Sequence, residues 1–352
     1  MNLLLPVVFV FLPSPENDAR AAVSKGLKRL EIAATNYLKN RTCFSCHHQA
    51  VTVKALALAR SRGFAVDEDV FKKQTQFTVD FYRPKIKDIR NGIGIGGAST
   101  TAAYALFTLQ AARHPRDETT DALVEFLMKK QDKEGTWTAT TVRPPTEGSK
   151  QTIAALVLQV ISSYAPTDDE ADPELRQRIQ KMRESAITWL KKSKPVTTED
   201  YVFRLRGLVS SKAAEDEIRV AKGELLKRQR EDGGWAQLDG TKSEEVPDSS
   251  TLVGFFTTRT SRAKYSDPYA TATALVALRM AGMSPRDAPY QKGVELLLRT
   301  QDESGAWIIT SRSNPIQQLF DNGDPGGMRS GFISNHATGW AVLALLECCG
   351  AK

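Results

Sequence analysis

Residues 127–137, Leu127-Met128-Lys129-Lys130-Gln131-Asp132-Lys133-Glu134-Gly135-Thr136-Trp137, close an amphipathic run with a glutamine, an acidic turn, a glycine and a tryptophan. The phrase returns at 226–235 as Leu226-Lys227-Arg228-Gln229-Arg230-Glu231-Asp232-Gly233-Gly234-Trp235. It returns again at 298–307 as Leu298-Arg299-Thr300-Gln301-Asp302-Glu303-Ser304-Gly305-Ala306-Trp307. An internal repeat sets architecture before any local reading does. Glycine stops each helix through a left-handed cap, and the Gln and Trp can tie that turn to its neighbour. After a loop, each phrase is followed by a small, apolar helical segment, at 152–161, 269–281 and 337–346.

This phrase resembles the QW repeat of the terpenoid cyclase and protein prenyltransferase superfamily, whose α-hairpins close into an α/α toroid. On that template, degenerate hairpins pair 24–40 with 47–62, 67–84 with 99–112, and 173–192 with 199–211. The fold expected is therefore all-α, an (α/α)6 toroid of six helical hairpins forming a single domain over 21–352. No alternating strand pattern competes with it. Residues 166–173 read as a charged linker. The connections 238–267 and 310–334 are long for a compact domain, which marks them as functional or mobile. In a toroid they would lie over one mouth of the cavity.

The composition, 41% hydrophobic and 25% charged over 352 residues, belongs to a soluble globular chain able to bury a core. The net charge of +7 is spread out, with no basic block longer than a pair such as Lys191-Lys192. That describes a solvated surface and not a nucleic-acid footprint. The start, a short apolar run over 3–12 followed by Pro13-Ser14-Pro15, resembles a secretory signal over 1–20 with a cleavage site at Ala19-Arg20-Ala21. Export, to periplasm or outside, is the expected localisation. No other run is apolar enough to span a bilayer, so no transmembrane segment is expected in the mature chain.

Arg41-Thr42-Cys43-Phe44-Ser45-Cys46-His47-His48-Gln49 packs two of the four cysteines and two of the four histidines together. Cys43 to His47 matches C-x-x-C-H, the attachment pattern of haem c, with two thioethers and a proximal imidazole. Three readings stand open. In the first, Cys43 and Cys46 anchor haem, His47 is the proximal ligand and His336 the distal one. In the second, Cys43, Cys46, His47 or His48, and His336 hold zinc. In the third, the cysteines form a disulfide or stay inert thiols. Cys348-Cys349, about twelve residues past His336 and so about 18 Å further along a helix, read as buried thiols at the opposite rim.

The toroid resemblance also implies that all inner-helix N-termini open on one rim, where the superfamily places its chemistry. The rim residues expected here are the 43–48 cluster, Ser99, Thr100, Lys150, Gln151, Glu199, Asp200, Asp267, Tyr269 and His336. Ring closure would bring His336 against the cluster; otherwise it is a polar helix cap. Squalene–hopene cyclases protonate an alkene with a D-x-D-D cluster. Asp67-Glu68-Asp69 and Asp168-Asp169-Glu170 fall in turns as solvated caps, and Asp267 offers one carboxylate where those cyclases have several. Prenyltransferases bind zinc through Asp, Cys and His; His336 and Asp267 lie near two of those places, but no cysteine accompanies Asp267. Nor is there a Lys and Arg constellation for a diphosphate. The segment 320–327 leading into 332–334 looks like the end of exported bacterial cyclase-like repeat proteins, some of which carry a C-x-S-C-H-H start.

The function expected is an exported toroid with a haem c centre at its rim, for electron transfer or oxidation of an apolar small molecule or lipid in the cavity, working with a redox partner. The rival is a non-catalytic binding toroid with zinc or a disulfide in the same cluster. A third expectation is a terpenoid-processing enzyme with Asp267 as an unfamiliar acid.

Overall fold

The computed structural model describes residues 15–94, 96–140, 143–165, 172–238, 266–313, 324 and 326–350. Outer helices α1 (Pro15–Asn40), α3 (Glu68–Tyr82), α6 (Glu118–Lys130), α8 (Pro173–Lys192), α10 (Glu215–Leu226) and α12 (Ala288–Thr300) alternate with inner ones. The inner helices are α2 (Val51–Ser61), entered through a π-turn at Cys46–Ala50, then α5 (Ala98–Ala111), α7 (Lys150–Tyr164), α9 (Thr198–Ser210), α11 (Pro268–Met280) and α13 (Gly327–Leu346). A short helix, α4 (Ile86–Arg90), lies between α3 and α5. Each inner helix packs on the next, and α13 packs back on α2 and α1, so the ring closes. The expected all-α (α/α)6 toroid is the fold observed, and the described residues contain no strand.

The difference between the layers follows from burial. The inner helices are covered nearly all round, so α7 and α11 carry Ala, Leu, Val and Ile with no polar stripe, as a helix buried on every side must. Local caps set their starts: Ser149 Oγ accepts from Thr152 N, and Thr197 with Asp200 forms a capping box, which satisfies otherwise orphaned N–H groups.

The repeated phrase works as a clamp. Trp137, Trp235 and Trp307 are fully buried, and each indole N–H donates to a carbonyl ten residues earlier, on Leu127, Leu225 and Leu297, at 2.8–2.9 Å. Each glutamine amide donates twice. Gln131 reaches the Gly135 and Met182 carbonyls, Gln229 those of Gly233 and Pro289, and Gln301 those of Gly305 and Ala22. The second acceptor always belongs to the next outer helix, and for Gln301 that helix is α1. Gly233 has φ +89°, and a Cβ there would stand 2.6 Å from the Lys292 carbonyl oxygen. Only glycine lets the turn approach so closely.

Helix α1 starts at Pro15, so Ala19-Arg20-Ala21 lies inside it with Ala19 fully buried; residues 1–14 are outside the described residues. Two expectations need correction. Helix α13 starts at Gly327, capped by Gly326 at φ +91°, so 327–334 is helix where a loop was expected. His336 consequently lies in the third turn of α13, inside the ring and not on its rim. Residues 239–265 and 314–323, expected to cover a mouth, and 166–171 of the linker lie outside the described residues. Among the described residues no helix is long and apolar enough to cross a membrane.

Replacing Gln301 with Leu removes a donor at the seam of the ring, and with it the bonds to the Gly305 and Ala22 carbonyls. Urea unfolding should show a loss of about 1–3 kcal/mol. Trp235→Ala should cost more, about 3–5 kcal/mol, through the cavity it leaves.

Candidate functional site

Ring closure sets the first hairpin against the last. Asn335 Nδ2 donates to the His47 carbonyl at 2.8 Å, and a Cβ on Gly339 would collide with Val51. Ser45 begins the π-turn with its hydroxyl, which accepts from His47 N at 3.2 Å. The same hydroxyl lies 3.3 Å from His48 Nδ1, and His48 Nε2 lies 3.1 Å from Asp324 Oδ2. With Nε2–H donating to the carboxylate, Nδ1 is the acceptor. His48 is fully buried and stacked on Tyr37 at 4.5 Å. It does not line the pocket of the two cysteines and serves as an internal tie.

Cys43, Cys46 and His47 line one pocket of about 200 Å³ with Tyr37, Phe332, Arg143 and Glu147. All four cysteines are free thiols. Cys43 Sγ lies 3.2 Å from Tyr37 Oη, and Cys46 Sγ lies 3.3 Å from His47 Nδ1. Burial, reinforced by the Glu147 carboxylate, pushes the Cys46 thiol far above its ordinary range. Burial, with His336, His48 and Arg143 adding to it, holds His47 well below the usual histidine value, although part of its surface reaches solvent. The donor chemistry suits thioether attachment, but the room does not. A porphyrin is far larger than a 200 Å³ pocket walled by the Arg143–Glu147 ion pair. Among the described residues no three His, Cys, Asp or Glu side chains are placed to share one metal ion. Neither haem nor zinc fits this arrangement.

His336 does face the cluster, its ring 4.9 Å from that of His47. It is fully buried among Tyr269, Tyr104 and Trp340 at 5.8–6.1 Å. Neither ring nitrogen makes a hydrogen bond of normal geometry. Burial, with His48 and Arg206 adding to it and the Cys46 carbonyl opposing, pushes its pKa down to about 3. The ring is neutral. Among the described residues Tyr104 Oη and Trp340 Nε1 beside it also lack partners, so the axis of the toroid carries several unanswered polar atoms.

Glu199, on the first turn of α9, is a rim residue to which the sequence alone assigned no chemistry. It is 5% exposed. The Thr152 hydroxyl donates to Oε1 at 3.0 Å and the Tyr269 hydroxyl donates to Oε2 at 3.0 Å. Burial raises its pKa to about 8; the two hydroxyls and Arg206 oppose the shift and Asp200 adds to it. Glu199 lines a rim pocket of about 480 Å³, whose wall includes Pro144, Pro145, Trp189 and Val196 and whose edge carries Lys150, Asp200 and Arg312. Such a volume holds a small organic ligand.

The other expected residues have structural work. Asp267 caps α11, accepting from Ala270 N and Gln237 N at 3.0 Å. Burial raises its pKa, against those N–H bonds, but both oxygens are engaged. Asp200 accepts from Ser149 Oγ and from Val196 N and Thr197 N. Lys150 pairs loosely with Glu134 at 3.8 Å on the surface. Tyr269 is drawn into the site by its bond to Glu199. One signal could have found Glu199: an acid beside the capping Asp200, on the side of α9 that faces the ring.

No family model matches the chain, and no curated protein matches it in sequence. Solved structures do. The apo form of the type II terpene cyclase MstE from Scytonema is similar at TM-score 0.53 and 14% identity, covering 96% of this chain and 99% of that one. A single-residue variant of the same cyclase, holding the product merosterolic acid A, is similar at 0.53 and 14%, covering 95% and 98%. A protein from Actinoplanes is similar at 0.51 and 14%, covering 94% and 99%. At this identity the likeness is one of fold.

Two outcomes follow from this geometry. The folded protein keeps a proton on Glu199 up to about pH 8, whereas the unfolded chain releases it near 4.5. The stability held below pH 4.5 should therefore fall toward pH 8, by up to about 1.4 kcal/mol per pH unit, and Glu199→Gln should flatten that slope in urea melts. A pyridine haemochrome spectrum, on protein made with a cytochrome c maturation system, should lack the c-type band. A band abolished by Cys43→Ala/Cys46→Ala would overturn the packing argument.

Proposed function

We propose that this chain is an acid–base enzyme acting on an unsaturated isoprenoid, with Glu199 as the proton donor. One observation carries the reading: a carboxylic acid kept protonated at neutral pH lines a ligand-sized pocket in a toroid shaped like the type II terpene cyclases. A buried, protonated carboxyl is what alkene protonation needs, since an ionised one has no proton to give and an exposed one is levelled by water.

The step balances within the protein and its substrate. The Glu199 O–H bond breaks and its proton goes to one carbon of a C=C bond. The alkene π pair forms the new C–H bond and leaves a carbocation. Cation capture by a neighbouring double bond closes a ring, and loss of a proton to the Glu199 carboxylate restores the acid. The Thr152 and Tyr269 hydroxyls stabilise that carboxylate while it lasts, because they already donate to its two oxygens. Trp189 in the wall offers an aromatic surface of the kind that stabilises cations. Asp267 supports the site by capping α11.

The test uses geranylgeranyl dihydroxybenzoate, the substrate of the similar cyclase, beside simple polyprenyl chains in D2O. One deuterium per product by mass spectrometry is expected. Glu199→Gln should lower turnover about 100-fold or more, and the wild-type rate should fall about tenfold per unit above pH 8. Turnover that Glu199→Gln leaves unchanged, or no turnover with any polyene, would reject the assignment.

A further inference from the structure

A second pocket, of about 420 Å³, opens at the opposite end of the toroid, where the inner helices end. All six inner helices contribute to it, through residues such as Lys54 on α2, Phe107 on α5, Gln159 on α7, Arg206 on α9, Met280 on α11 and Trp340 on α13. It is the axial mouth of the ring, apart from the Glu199 pocket between α7 and α9.

Its polar content is unbalanced. Arg206 is only 3% exposed, and Nη2 donates to Gln159 Oε1 at 3.2 Å. Nε and Nη1 have no acceptor among the described residues. The faces of the guanidinium are covered by Trp340 at 4.7 Å and Phe203 at 4.6 Å, but ring contacts do not answer in-plane N–H groups. Lys54 stands in the same pocket with its ammonium 5.9 Å from the Phe107 centroid. Neither cation pairs with a described carboxylate. Glu347, the acid at this mouth, is already held by Arg62 at 3.3 Å and Arg279 at 3.1 Å. Burial and the nearness of Arg206 lower the Lys54 pKa, and burial lowers that of Arg206 to about 10, so at neutral pH the guanidinium is still charged. A buried cation with unanswered donors is costly unless an anion joins it. The remaining wall, with Leu58, Val276 and Leu343, is hydrocarbon.

We infer that this axial mouth binds a single-chain anionic amphiphile, its carboxylate or phosphate head held by Arg206 and Lys54 and its tail against the apolar wall. The head accepts the N–H groups that the protein leaves open. The tail takes the apolar surface out of water. Binding needs no covalent step and does not depend on the Glu199 chemistry.

The test is displacement of a bound fluorescent fatty acid, cis-parinarate, by dodecanoate, dodecyl phosphate, dodecanol and inorganic phosphate. Dodecanoate or dodecyl phosphate should compete at least about tenfold better than dodecanol, because a charge-assisted contact replaces a neutral one. The order of those two identifies the head. Inorganic phosphate alone should compete about 100-fold worse or not at all. Lys54→Met, half-buried and tolerant, should weaken dodecanoate severalfold at unchanged melting temperature, and Arg206→Gln about tenfold or more. Glu199→Gln should leave binding intact, which separates this site from the catalytic reading. Equal competition by dodecanol and dodecanoate, or wild-type affinity in Lys54→Met, would overturn the inference. Should Arg206→Gln not fold, Lys54→Met decides.

Discussion

The fold depends on a glutamine amide that donates two hydrogen bonds across a hairpin boundary. In each of the three repeats one N–H goes to the carbonyl of the turn glycine four residues on, past a helix that has already ended, and the other goes to a carbonyl in the next outer helix. The first carbonyl lies in the turn beyond the helix, and the second lies within the neighbouring helix. The amide thus ties its own turn to the next hairpin in one step. Because Gln301 finds its second acceptor on α1, the device also joins the last hairpin to the first. The buried tryptophan beneath it holds the turn in place, and the glycine keeps the approach possible.

What the clamp encloses is an axis of polar groups in an apolar surround. His336, Tyr104, Tyr269, Glu199 and Arg206 all come from inner helices, and all are nearly or wholly buried. Low dielectric drives each ionisable member toward its neutral form, so His336 loses its proton and Glu199 keeps one. The consequence runs down the axis. A protonated Glu199 offers no countercharge to Arg206, whose Nε and Nη1 find no acceptor among the described residues.

The cysteine and histidine cluster shows how a short motif can be locally convincing and sterically constrained. Cys43, Cys46 and His47 do face one pocket, and His336 does approach His47 as ring closure required. Side chains from elsewhere then limit the space: Arg143 and Glu147 pair along its wall, and Asp324 takes His48. A C-x-x-C-H spacing carries ligand types but says nothing about the volume in front of them.

By itself the sequence determined the helical class, the hairpin pairing and the closure of the ring, because those rest on periodicity and on a Gln-to-Trp phrase whose bonds are mostly local. It also placed His336 beside the cluster, though one helix start was misjudged because Gly326 and Gly327 read as loop while capping α13. Only the tertiary structure decided which acid is poised. Asp267 and Glu199 look alike in a sequence; the first spends its oxygens on backbone N–H groups, whereas the second meets only two hydroxyls in a buried pocket. The Lys54 and Arg206 pair was invisible for the same reason. Desolvation and the supply of partners are set by side chains from distant hairpins, and they exist only once the ring has closed.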